Sequence, residues 1–129
     1  MKYRQGFVTN SSSSSFILAR KDEVNKETLL ELIKKQKDAI DEIISCYEYI
    51  EDLDIEITQA IEKGDKDRAF DLIAQQVLRK FLNFNSDLTL DNWKVAGGEV
   101  SNESDSLFDL FVYFSGTIEL DDFKITSVY

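Results

Sequence analysis

The sequence predicts an α+β domain in which an antiparallel sheet of three or four strands packs against an α-helical hairpin. Three observations predict it. Apolar residues recur alternately four and three apart from about residue 25, a Gly64-Asp65 pair interrupts them, and the period changes to two beyond Leu88. The 129 residues fit one domain, 1–129, with a serine-rich head over 1–20, the helical hairpin over 25–84 and the sheet over 88–129. Hydrophobic residues make up 43% of the chain and aromatics 12%, enough apolar surface for a core.

In the head, Phe16-Ile17-Leu18-Ala19 is an apolar run short enough for a strand, which supplies the fourth strand of the sheet. The preceding serines read equally as a linker or as the polar approach to that strand. From Asn25, a residue suited to capping, the stripe runs Leu29, Ile33, Gln36, Ile40, Ile43, Tyr47, Ile50, Asp54, Ile57, Ile61. Two forms fit it: one helix over 26–63, or a helix broken near Glu51–Asp54. With no Pro or Gly to force a break, the balance tips towards continuity. Gly64 suits the left-handed position that closes a helix, and Asp65 caps the next. That second helix, from Lys66 to about Phe84, carries Phe70, Ile73, Ala74, Val77, Phe81 and Phe84 on one face.

In the last stretch, Phe108, Leu110, Val112, Phe114, Ile118 and Leu120 share even parity, which predicts a strand over 107–120 lying under the helices. Phe123–Thr126 returns beside it. Trp93 and Val95 share a face that Val100 does not, so a bulge at Gly97-Gly98 is expected to restore register. Phe111, Trp93, Tyr113 and Tyr129 are candidates for an outer sheet face, with Trp93 and Tyr113 as aromatic contacts for a partner.

Charge narrows the function classes. The net charge is −10, yet residues 1–21 hold Lys2, Arg4, Arg20 and Lys21 with no acid, a balance of +4 that leaves −14 on the remainder. Residues 41–56 carry seven acids and no base. Such a body repels nucleic acid and anionic membrane and attracts basic protein surfaces. The expected partner is therefore a protein with a basic surface, met by Glu48, Glu51, Asp52 and Glu56. A homo-oligomer is compatible with the stripe, whose polar members Gln36 and Asp54 could set register.

The chemistry of catalysis is poorly represented. There is no histidine, which removes His-based acid–base pairs and triads, and one cysteine cannot build a thiolate metal site. Neither of the glycine-rich phosphate-binding motifs occurs. Asp52-x-Asp54-x-Glu56 superficially starts like a calcium loop, but Ile57 and Lys63 stand where glycine and glutamate are required. Cys46, in the helical stretch, is expected to pack. No enzyme, cofactor or metal is expected. A lone cysteine, no apolar run of about 18 residues and a polar Thr9–Ser15 after the basic start point to the cytoplasm, or to host cytoplasm for a phage-encoded protein.

The head is the most specific feature. Arg4, Gly6, Phe7, Asn10, Ser11, Ser12, Ser13, Ser14, Ser15 and Phe16 form a start that resembles R-x-G-F-V-(S/T)-N-S-S-S-S-S-F, found at the N-termini of otherwise dissimilar bacteriophage and prokaryotic proteins. That resemblance covers about a tenth of the chain and implies a phage or mobile-element origin rather than a reaction. The leading expectation is an acidic protein-binding module of such an origin, with inhibition of a host defence protein by phosphate mimicry as its sharper form. The rival is a virion or assembly component that docks through the basic head. A small-molecule sensor or divalent-dependent enzyme ranks below both.

Overall fold

A computed structural model describes residues 13–115 and 117–128. Five helices and a five-stranded antiparallel sheet make an α+β fold, with one strand more than the upper expectation. The extra strand comes from two short edges, β2 (Leu88–Leu90) and β4 (Ile118–Glu119), which flank β3 (Trp93–Ser101), β1 (Ser13–Lys21) and β5 (Phe123–Val128) in the order β2-β3-β1-β5-β4. The apolar run of the head is thus the centre of the sheet. β1 pairs with β3 from Ser13↔Ser101 to Lys21↔Trp93 and with β5 from Ser15↔Val128 to Arg20↔Phe123.

That register is unbroken, so the expected bulge at Gly97-Gly98 does not form. Val100 differs in parity from Trp93 and Val95 because it faces the helices while they face away. Gly98 instead makes room for a side chain: a Cβ there would stand 3.3 Å from the Phe16 ring.

The stretch 26–63 is not one helix. It divides into α1 (Lys26–Lys34), α2 (Lys37–Ser45), a 3-10 turn (Tyr47–Tyr49) and α3 (Ile55–Glu62). The stripe is real, since Leu29, Ile33, Ile40, Ile43, Ile50 and Ile57 are all buried. Its two polar members are where the chain turns: Gln36 and Asp54 occupy the positions just before α2 and α3, without a side-chain cap bond. A periodic stripe requires only that successive segments face one core, and short helices folded around that core satisfy it as well as a straight rod. The local start and stop signals hold. The Asn25 carboxamide accepts from Thr28 N at 3.1 Å, Gly64 takes φ +80°, and the Asp65 carboxylate accepts from Arg68 N at 3.2 Å, opening α4 (Lys66–Leu82).

The expected strand over 107–120 is a second correction. Leu107–Ser115 is a helix, α5, and β4 follows it. Leu107, Leu110 and Phe111 are buried at helical spacing, and Val112 is buried too. A segment apolar on nearly every side satisfies both periods, so its pattern does not choose between them. What favours the helix is one local and one distant cap: the Ser106 hydroxyl oxygen accepts the Asp109 N–H at 3.4 Å, and Asp52 Oδ1 accepts the Leu107 N–H at 2.8 Å. The sequence region 88–129 is therefore sheet interrupted by a helix.

All five helices bury their apolar residues in one core with the same side of the sheet. Phe81 of α4 is its centre, with ring centroids 4.9 Å from Phe123, 5.6 Å from Phe108 and 5.8 Å from Phe111. These edge-on and tilted geometries suit ring quadrupoles.

Candidate functional site

Of the acidic candidates, Glu48, Glu51 and Asp52 lie between α2 and α3, where the chain has few backbone bonds of its own, and Glu56 lies in the first turn of α3. Gln76 of α4, only 4% exposed, pins the connection: its Nε2 donates to Asp52 O at 2.7 Å and its Oε1 accepts from Asp54 N at 3.0 Å. Glu51 N donates to Asp105 O at 2.9 Å, and Ile50 plugs into the core. With those inner attachments made, the outer side chains have nowhere to bury. Tyr49 is 78% exposed and Ile55 72%, in a segment that also holds Glu48, Glu51, Asp52 and Glu56.

The structure gives the four carboxylates different roles. Glu48 and Glu51 face water, Glu56 faces water beside Arg68 at 3.4 Å, and Asp52 caps α5 as described. Asp54 pairs with Arg79. The Asp52, Asp54 and Glu56 side chains are thus drawn to three separate partners. Among the described residues, no three Asp, Glu or Cys side chains converge as a metal ion would require.

Crowding raises the proton affinity of the segment. The Glu51 carboxyl is pushed up, first by a hydrogen bond shared with Asp105, then by the Asp105 charge, desolvation and the Asp52 charge. Asp109, on α5, is pushed up mainly by partial burial and further by the charges of Asp52 and Asp105, while the Ser104 hydroxyl donating at 3.1 Å acts against the rise. The Tyr47 phenol is pushed up as well, by desolvation and then by the Glu62 and Glu48 charges and its hydrogen bond to Glu62. Carboxylates held this close repel one another, and a cation placed among them relieves that repulsion.

The second candidate surface is the side of the sheet turned away from the helices. The registers place Leu88, Val95 and Ala19 in one cross-strand row, with Leu90, Trp93 and Lys21 in the next. Ile17 is 48% exposed, Leu88 46% and Leu90 60%. Lys21 and Lys124 each stand with the ammonium 5.3 Å from the Trp93 ring centroid, an arrangement that covers part of the indole.

Of the described aromatic candidates, only Trp93 lies on this surface. Tyr113 is a half-buried residue of α5 against the Phe114 ring at 5.1 Å, and Phe111 is buried in the core. Trp93 and Tyr113 are on different elements and opposite sides of the sheet. Tyr129 falls outside the described residues, as do Arg4, Gly6, Phe7, Asn10, Ser11 and Ser12. Ser13, Ser14, Ser15 and Phe16 open the central strand, so that part of the motif builds the fold. Cys46 ends α2 and packs against the core.

A cleft of about 660 Å³ between the β1–α1 connection and the end of α4 is lined by Arg20, Asp22, Glu23, Lys26 and Arg79, among others. Arg79 is held by Asp54, Asp22 pairs with Lys94 at 3.4 Å, and the Arg20 guanidinium lies 5.2 Å over the Phe84 ring. Much of its charge already has a partner. No described helix is long and apolar enough to cross a membrane.

Sequence reasoning missed Tyr49 and Ile55, although a signal existed. Both stand off the apolar stripe in its most acidic part, where a large apolar side chain has no structural reason to be. Ile17, Leu88 and Leu90 were missed because the order of strands decides which surface is shared. Compared with protein-family models, curated proteins and solved structures, the chain finds no match.

Proposed function

We propose that the chain is a small non-enzymatic protein-binding module that meets a basic partner surface with the α2–α3 connection and the first turn of α3. The observation that carries this reading is the exposure of Tyr49 and Ile55, 78% and 72%, among carboxylates that already repel one another. Apolar anchors within a charged rim are the usual anatomy of a binding hot spot, where the anchor excludes water and the rim selects the partner. Glu48 and Glu51 supply attraction, and Tyr49 and Ile55 supply the area that makes it specific. An arginine or lysine of the partner beside Glu51 favours its charged form and offsets the Asp105 charge. A host nucleic-acid-binding protein has a surface of this kind, and the phage-like head agrees with such a target.

The test is affinity capture with mass spectrometry from the lysate of candidate hosts, using the wild type, Glu48→Lys with Glu51→Lys, and Tyr49→Ala with Ile55→Ala. Neither pair removes a side chain that holds an element in place, and Asp52 is left intact as a cap. The expected outcome is one basic protein whose affinity falls about tenfold or more in both double variants. Capture that ignores both sets of changes would place the binding surface elsewhere and end the proposal.

A further inference from the structure

The open side of the sheet has three properties that together point to one occupant. It is apolar: Ile17, Ala19, Leu88, Leu90, Trp93 and Val95 share it, and no described element covers it. The charges that the strand registers place on it balance, Lys21 and Lys124 against Glu99 and Glu119, while Asp87 at its edge accepts from the Gly97 N–H at 3.1 Å. It also carries a knob beside a hole: Ile17, 48% exposed, pairs across the strand boundary with Gly97, which has no side chain.

The charge balance matters because the whole chain carries −10. Two such molecules repel over most of their surfaces, and a face on which the strand charges balance is where they approach at least cost. A strongly charged partner would gain no steering there. The helix layers of two molecules joined by these faces would be separated by two sheets about 10 Å apart, beyond the roughly 8 Å screening length of physiological salt.

The knob and hole supply the shape. An isologous interface requires residue i to meet residue j while j meets i. A two-fold axis running along the strands between β1 and β3 does this. It lays Ile17 of each molecule over Gly97 of the other, Ala19 over Val95, and Trp93 under the Lys21 ammonium. We propose that the open face of the sheet seats a second copy of this chain, giving a face-to-face homodimer that presents two acidic segments on its outer sides.

Sedimentation equilibrium on the full chain, across a concentration series and at low and high salt, tests the proposal. The wild type is expected to reach twice its 14.9 kDa mass, with little dependence on salt. Ile17→Asp removes the knob and adds two like charges, one to each of the facing surfaces. Gly97→Val fills the hole, and the monomer tolerates it because a Cβ there meets only Phe16 O at 3.4 Å, an ordinary contact. Each variant is expected to weaken dimerisation at least tenfold while circular dichroism shows an unchanged fold. Glu51→Lys is expected to leave the dimer alone, which separates this result from that for the acidic segment. A chain that stays monomeric throughout overturns the proposal, whether the face is bare or covered by residues 1–12. So does a dimer indifferent to both Ile17→Asp and Gly97→Val.

Discussion

On the helix side of β1, Phe16 and Leu18 are 9% and 1% exposed, while on the other side Ile17 is 48% exposed. The four residues Phe16-Ile17-Leu18-Ala19 show no alternation of apolar and polar, although a strand with one wet side normally does. β3 behaves in the same way, with Val100 inward and Val95 and Trp93 outward. The helix-facing side is explained by the core. The outward side carries apolar residues that no described element covers, and this difference between the two sides is what the proposed dimer would account for.

The sharpest way to break this comparison is to remove a side chain from each side at concentrations low enough to keep the chain monomeric. Phe81→Ala, at the meeting point of three rings on the covered side, is expected to cost about 3–5 kcal/mol in urea unfolding. Leu18→Ala should cost about 2–5 kcal/mol. Ile17→Ala, one residue away, should change monomer stability by no more than about 0.5 kcal/mol. Equal losses at Ile17 and Leu18 would mean that the outward side is already packed within the monomer.

The same contrast explains what could be read before the fold was known. Signals that act over a few residues were legible: Asn25 and Asp65 as caps, Gly64 as a helix terminator, and the length of α4. The α+β class followed from the change of period. What failed depended partly on distant groups. The pattern of α5 fits a strand as well as a helix because Leu107–Phe114 is apolar on nearly every side, and of its two caps Ser106 is local while Asp52 lies 55 residues away. The break before α3 depends on Gln76 holding Asp52 and Asp54 from α4. The acidic segment was legible as charge, but its exposed anchors needed the knowledge that Ile50 turns inward and Tyr49 outward.

A smaller effect sharpens the distinction within that segment. Asp52 looks inward to α5, whereas Glu48 looks out. Asp52→Ala leaves the Leu107 N–H without its acceptor and is expected to cost about 0.5–2 kcal/mol, the range for a lost helix cap. Relief of the repulsion from Glu51 and Asp109 brings the expected value towards the lower end. Glu48→Ala should lie within about 0.5 kcal/mol of wild type by the same urea titration. A cost at Glu48 comparable with that at Asp52 would contradict the division into one structural acid and outward-facing ones.

The smallest effect concerns a charge drawn partly under cover. Partial burial and the neighbouring acids raise the Asp109 carboxyl above its ordinary value of about 3.9. The folded state therefore holds this proton more tightly than the unfolded state does. The resulting stability is present below the ordinary value and is lost as pH rises through the folded value. Asp109→Asn keeps an acceptor for the Ser104 hydroxyl but has no charge to desolvate. It is expected to be slightly more stable than wild type at pH 7 and to show a shallower loss of melting temperature between about pH 4 and 7. Glu51 contributes a slope of the same sign in both proteins, so the comparison isolates Asp109. Identical slopes would mean that water reaches Asp109 as freely as it reaches Glu48, and the half-covered end of α5 would have to be counted with the open surfaces.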